Sequence, residues 1–331
     1  MRSGIRGTIA SVGLLFALTG AASAADVTMN LGWATPLESS YGDLATKFEE
    51  LTEAYSDGTI DVKLRCCAQI ATEDDAFKAL QLGTVDAYFI SQNNVSPHWP
   101  LMDVFVLPYI FQSTDHLVKV AGGPVGDRIR EQIQADTSVH LLTFGGPSYR
   151  DFFNSQRSIN SIEDMAGLKI RVPKNEVMLA TFEAFGAEPV PLAWSETPTA
   201  LQTGTIDGGD NGTSVIQEMK FFEFAKHLVI LDHFAGFSPV LASDRFMSKL
   251  TDEQRDAVAR AAAEAGAYHT ELKIAEIEGI REWLSTEGGM AMTRPERGPF
   301  IAAAQEVQQS VAAERGDDFT SLVNAIQAAA E

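Results

Sequence analysis

The residue best placed to do chemistry is Arg171. It sits inside Leu168-Lys169-Ile170-Arg171-Val172-Pro173, an otherwise largely apolar strand that Pro173 terminates. A buried guanidinium needs an anionic partner, because an unpaired buried charge is very costly. Two partners fit: an internal acid such as Asp210, or the carboxylate of a ligand, whose planar geometry matches the guanidinium fork. Around this strand, between Tyr149 and Asn211, arginines, aromatics and amides concentrate near predicted strand ends. That is where α/β folds place their ligand sites.

Other chemistry finds little support. The six histidines, His98, His116, His140, His227, His233 and His269, lack the i, i+4 pairing and carboxylate spacing of a zinc site. Cys66 and Cys67 are the only cysteines. As neighbours their Cα atoms stand about 3.8 Å apart, below the usual disulfide span, so a strained vicinal bridge is disfavoured. The chain has no G-x-S-x-G nucleophile elbow and no phosphate loop ending in Gly-Lys-Ser/Thr. In Gly122-Gly123-Pro124-Val125-Gly126, Pro124 removes a backbone donor, and the segment reads as a helix-to-helix turn. The expectation is a binding protein with no catalytic residues, no metal and no cofactor.

The elements that must position Arg171 alternate between helix and strand, the pattern of an α/β protein with parallel sheets. Tyr41, Leu44, Phe48 and Leu51 recur at helical spacing behind Ser39 and Ser40, and Asp57-Gly58 turns into a strand from Thr59 to Leu64. A helix from Thr72 to Leu82 is stopped by Gly83, and a strand from Val85 to Ile90 follows. Near Asn160 the pattern restarts: a short helix to Met165, the strand Lys169 to Val172, a helix ending at Gly186, and an extended segment from Glu188 to Pro191. The words Ala79-Leu80-Gln81-Leu82-Gly83-Thr84-Val85-Asp86 and Ala200-Leu201-Gln202-Thr203-Gly204-Thr205-Ile206-Asp207 repeat each other. They read either as equivalent pieces of two similar lobes or as a chance convergence of helix, glycine cap and strand. From Thr251, whose pairing with Gln254 fits a capping box, an unbroken helical pattern runs to about Leu284, long enough to cross both lobes. Two amphipathic helices follow between Phe300 and Ala330.

At the N-terminus, Arg2 and Arg6 precede an apolar run from Thr8 to about Thr19 and the small residues Ala22-Ser23-Ala24. This predicts a secretory signal peptide, residues 1–24, cleaved before Ala25. The run is shorter than the roughly 20 residues that span a bilayer, so the expected product is exported and soluble, in the periplasm. The formal charge of −20 argues against nucleic acid and anionic membrane as partners.

Specific words in the second half resemble a known family, the substrate-binding proteins of tripartite ATP-independent periplasmic (TRAP) transporters of the dicarboxylate-binding type. They are Ser161-Ile162-Glu163-Asp164-Met165-Ala166-Gly167-Leu168-Lys169-Ile170-Arg171-Val172-Pro173, Pro191-Leu192-Ala193-Trp194-Ser195-Glu196, Ala200-Leu201-Gln202-Thr203-Gly204 and Asp207-Gly208-Gly209-Asp210-Asn211. Val106-Leu107-Pro108-Tyr109 and Phe221-Phe222-Glu223-Phe224 add to the match. The resemblance implies a two-lobed α/β binding protein of the type II periplasmic kind. Its long helix would span both lobes, and it would close on a small organic acid and deliver it to the membrane permease subunits of a gradient-driven transporter. Lobe I would comprise residues 25–148 plus 237–276, and lobe II residues 149–236 plus 277–331.

By the same resemblance Arg171 clamps the ligand carboxylate, Arg150 is a second arginine of the site, Asn211 follows the Asp-Gly word, and Trp194 is its aromatic. First-lobe contacts fall on Glu73, Ser91 and Asn94, although Glu73 is also an ordinary first-turn acid favoured by the helix dipole. The chain departs from the family pattern at Asp210, where glutamate is common, and at Gly212, where proline is common. Tyr149, Phe144 and Trp33 are further candidates to flank a ligand ring, or else core. Competing readings are an ABC-type solute-binding protein, a ligand-presenting subunit of a sensor, and an exported hydrolase or lyase.

Overall fold

The computed structural model describes residues 25–330; the predicted signal peptide lies outside the described residues. One lobe is built from β1 (Val27–Gly32), α1 (Ser40–Tyr55), β2 (Ile60–Arg65), α2 (Glu73–Leu82), β3 (Ala87–Phe89), α3 (Gln92–Val95), α4 (Thr114–Ala121), α5 (Pro124–Thr137) and β4 (Val139–Phe144). The other holds β5 (Ser148–Asn154), β6 (Lys169–Val172), α6 (Glu176–Ala184), β7 (Glu188–Pro191), α7 (Thr197–Gln202), β8 (Gly208–Gly212), α8 (Thr213–Glu218), β9 (His227–Val229) and β10 (Ala235–Gly236). The chain returns to the first sheet through β11 (Pro239–Ser243) and α9 (Asp244–Met247), then enters α10 (Asp252–Thr286). It ends in β12 (Ala291–Thr293), α11 (Gly298–Arg315) and α12 (Asp317–Ala328).

The first sheet has strand order β2-β1-β3-β11-β4, and the second β12-β9-β5-β8-β6-β7 with β10 beside β5. The parallel pairing expected from sequence forms between β1 and β2, β1 and β3, β6 and β7, and β6 and β8, but β11 runs antiparallel to β3 and β4, and β5 runs antiparallel to β8 and β9. The reason is the linkage between lobes. A strand that has just crossed enters its sheet at the cleft, where the parallel strands end, so it must run against them. The two short links, residues 145–147 and 237–238, lie side by side, with Gly145 N donating to Ser238 O at 3.0 Å.

The repeated words occupy equivalent places. Each ends a helix on a left-handed glycine, Gly83 at φ +65° and Gly204 at φ +70°, a conformation that costs glycine nothing. Thr84 N donates to Ala79 O, as Thr205 N does to Ala200 O. Asp86 accepts the backbone N–H of Asn30 in β1, and Asp207 that of Lys169 in β6. The same turn thus docks β3 beside β1 in one lobe and β8 beside β6 in the other.

Helix α10, at 35 residues and a 1.5 Å rise about 50 Å long, starts from the predicted capping box of Thr251 and Gln254. Its first half buries small residues, Ala261, Ala262 and Ala265, in the first-lobe core with Phe48 and Leu44 of α1. Gly266 lets it touch β4, because a Cβ there would stand 2.5 Å from Thr143 Oγ1. Its far end ties to the second lobe through Arg281. Of the C-terminal helices, α11 packs on α6 and α12 on α5 and the turn Pro100–Phe105, so the tail touches elements of both lobes. Cys66 and Cys67 are free.

Candidate functional site

The site forms where the strand ends of the two lobes face each other. Strand β6 is buried from Ile170 to Val172, and Arg171 is only 4% exposed. Its Nε and Nη2 donate to Leu192 O at 3.1 and 2.9 Å, and its guanidinium lies 5.9 Å from the centre of the Trp194 ring. Among the described residues no carboxylate comes within salt-bridge distance of it. Burial, and then the positive charge of Arg150, pull its pKa down to about 10, so it remains a cation at neutral pH.

The internal acid considered for Arg171 is already taken. Asp210 receives Arg150 Nε at 2.6 Å and Nη2 at 3.2 Å, while Nη2 also donates to the Asp210 carbonyl at 2.6 Å. His233 Nε2 stands 3.3 Å from the same carboxylate. Burial alone would raise the Asp210 pKa, but the Arg150 charge and the adjacent His233 hold it well below the usual carboxylate range. Register explains the division: Arg150 on β5 lies beside Gly212 on β8, whereas Arg171 on β6 lies beside Gly209. Asp210, between them along β8, turns its side chain to β5.

The other predicted residues gather in the same cavity, which encloses about 740 Å³ including its open mouth. Asn211 lines it from β8, spending its own Oδ1 on Gly212 N at 2.8 Å and leaving its amide N–H₂ for the cavity. Trp194 forms the wall after β7. From the first lobe come Ser91 and Asn94 after β3, and Glu73. Glu73 is the first residue of α2, capped by Thr72, and it also lines the cavity, with Oε1 accepting Ser91 N at 2.9 Å. Burial raises its pKa.

Three aromatics take the core alternative. Trp33, fully buried, packs on Phe89 with its indole N–H on Pro36 O; Phe144 belongs to a cluster with Phe105 and Phe237; Tyr149 packs against the core. None of the three lines the cavity. The aromatics that do line it are Trp194, Tyr41 and Phe237. Tyr41 was legible only as part of the apolar stripe of α1, and Phe237 sits in the link between lobes.

Sequence reasoning also passed over Lys273, Ser214, Ser148 and Ser238 of the lining. Lone serines and a lysine inside a long helix carry no pattern of their own. Lys273 Nζ donates to Ser214 Oγ at 2.5 Å and Glu276 Oε1 at 2.9 Å. Beside it, buried His269 accepts Gly146 N at 2.8 Å through Nδ1, and burial pulls its pKa down to about 3. The lobes touch across the cleft at Ser40 N to Glu218 Oε1 (3.0 Å), Lys174 Nζ to Asp74 Oδ2 (2.9 Å) and Asn175 Nδ2 to Asn93 O (3.3 Å).

Comparison with known proteins agrees in sequence and in shape. The family model described as bacterial extracellular solute-binding protein, family 7, matches residues 31–315. A solute-binding protein of Roseobacter denitrificans is 30% identical over 91% of this chain and 92% of its own length. The sialic acid-binding periplasmic protein SiaP of Vibrio cholerae is 29% identical over 94% of this chain and 97% of its own. A crystal structure of a TRAP periplasmic solute-binding protein from Roseobacter denitrificans with bound L-galactonate superposes with a TM-score of 0.84 at 29% identity, covering 91% of this chain and 99% of that one.

Proposed function

The chain belongs to the bacterial extracellular solute-binding proteins of family 7, and on that premise we propose that it captures a polyhydroxylated monocarboxylic acid in the periplasm for a TRAP permease. The observation that carries this reading is Arg171: a buried cation in the cavity wall, fixed by a carbonyl and left without an acid of its own. A ligand carboxylate completes it. Binding such a group neutralises a desolvated charge and uses the fork geometry of the guanidinium.

The remaining roles follow from donor and acceptor chemistry. Arg150, spent on Asp210, adds positive potential and holds β5 to β8. Asn211 offers amide hydrogens to the ligand. Glu73 and Ser91, on the facing lobe, accept hydroxyl hydrogens, and Asn94 exchanges either kind of bond. Trp194 covers a flat apolar face. Glu73 adds a negative charge to the lining, so hydroxyl-rich monoacids such as those named for the relatives, a sialic acid and a galactonate, suit the cavity better than a dicarboxylate. Because these groups come from both lobes, the ligand favours the closed cleft. The family match favours a gradient-driven partner over an ATP-driven one.

The test is a thermal-shift screen of residues 25–331 against sugar acids, dicarboxylates, neutral sugars and cations. An acid at a hundred times its dissociation constant adds about 2.7 kcal/mol of stability. If only neutral sugars or cations raise the melting temperature, the acid assignment is wrong. Failure of the liganded protein to stimulate acid uptake by its permease, reconstituted in vesicles, removes the transport role.

A further inference from the structure

We infer that Lys273 reads the distal end of the ligand and so sets the length of acid that the cavity prefers, an inference that rests on the ligand carboxylate lying at Arg171. Lys273 is 6% exposed and lines the same cavity as Arg171. It comes from α10, the helix that joins the lobes, and not from the sheet that carries Arg171. Its stem is pressed onto the link between lobes, where a Cβ at Gly146 would stand 2.7 Å from Lys273 Cγ. The head is thereby aimed at the cavity.

An ammonium carries three donors. Two are used, on Ser214 and Glu276, and the third has no protein partner among the described residues. Strand order sets how far it lies from Arg171. The Arg171 head is held at Leu192, just past β7, and the Lys273 head at Ser214, just past β8. Strand β6 lies between β7 and β8, so at about 4.8 Å per inter-strand spacing the two anchors are roughly 10 Å apart across the sheet. Lys273 therefore meets the cavity well to one side of Arg171. A short hydroxy acid gripped at Arg171 ends before the ammonium, whereas a hexonate spans the gap.

Charge decides what the distal end accepts. Glu276 already pairs with Lys273, and Glu218 lies near enough for the two charges to interact. Local charge is thus net negative, which suits a hydroxyl or carbonyl oxygen and disfavours a second carboxylate.

Calorimetry of residues 25–331 with D-erythronate, D-galactonate and galactarate tests this. The wild type should bind galactonate more tightly than erythronate and more tightly than galactarate. Lys273→Met, which keeps the apolar stem, should weaken galactonate about ten- to hundredfold, as expected for losing a hydrogen bond from a charged donor, and leave erythronate unchanged. Lys273→Gln, which keeps a donor, should recover part of the loss, and melting curves of both variants report folding. A uniform loss across the acids, an unchanged galactonate affinity in Lys273→Met, or a wild type that prefers erythronate overturns the role of Lys273. A wild type that binds none of the acids removes the carboxylate assignment at Arg171 as well.

Discussion

The second lobe holds two buried arginines, Arg281 against β5 and Arg171 on β6, and the two are resolved differently. Arg281, from α10, is 5% exposed and grips Asp151 with Nε at 2.9 Å and Nη2 at 2.6 Å, while Nη2 also reaches Asp232 at 2.7 Å and Nη1 meets Glu278 at 2.7 Å. Thr213 donates to the same Asp151. Arg171, equally buried, has a carbonyl and an indole face and no carboxylate. The difference teaches that burial of a cation says little by itself. A charge whose partners are complete belongs to the framework; one whose partners are incomplete, beside a cavity, is the one we propose a ligand completes.

The largest effect should come from breaking the framework arginine. Arg281→Ala leaves Asp151 buried without a counter-charge, and chemical denaturation should show a loss of roughly 3–5 kcal/mol. Any protein that still folds should bind its acid with nearly wild-type affinity. Arg171→Ala should do the reverse: free-protein stability close to wild type, and ligand affinity weaker by roughly 2–5 kcal/mol. Arg171→Lys keeps the charge but loses the two coplanar donors, so calorimetry should find most of that loss retained. Equal destabilisation by the two alanine variants would erase the distinction between the two arginines.

How much of this was legible in the sequence follows the same division. Arg171 stood out because one arginine inside an apolar strand violates the pattern around it, and the repeated Gly83 and Gly204 turns fixed two equivalent strand junctions. The choice between an internal and a ligand partner was not legible, because it depends on which neighbour along β8 takes Asp210. That is a matter of register between β5, β6 and β8. Antiparallel β5 and β11 were hidden for a similar reason: direction within a sheet is set by where the chain crosses between lobes. The cavity side of α1 and α10 was also hidden, since Tyr41 and Lys273 sit on helix faces whose outlook depends on the packing of both lobes.

A smaller effect probes the crossing itself. His269 accepts Gly146 N through an unprotonated Nδ1, and its pKa of about 3 lies below that of an unfolded histidine. The unfolded chain thus binds the extra proton first. This contribution is full above about pH 6.5 and is lost as pH falls toward 3. From this residue alone, stability at pH 5 should be about 2 kcal/mol lower than at pH 7.5. His269→Gln retains an acceptor for Gly146 and does not titrate, so denaturation at the two pH values should show a correspondingly shallower dependence. Identical pH slopes in the two proteins would mean that protonation at the crossing does not oppose the fold.

The smallest effect should lie at the rim, where Lys174 and Asp74 meet across the cleft mouth with side chains 59% and 29% exposed. This pair joins the lobes as Ser40 and Glu218 do, but water reaches it. Exposed pairs of this kind contribute about 0.2–1 kcal/mol and weaken with salt. Lys174→Ala should therefore reduce ligand affinity by about 0.5 kcal/mol at low ionic strength, with almost no difference from wild type at about 1 M salt, where screening is effective within roughly 3 Å. Glu218→Ala removes a half-buried acceptor from the first N–H of α1, which salt reaches poorly. Its loss of affinity should be larger and should persist at high salt. If Lys174→Ala instead matched Arg171→Ala and did so independently of salt, the rim would be part of the ligand grip. The contrast between a completed and an incomplete arginine would then no longer identify where the acid binds.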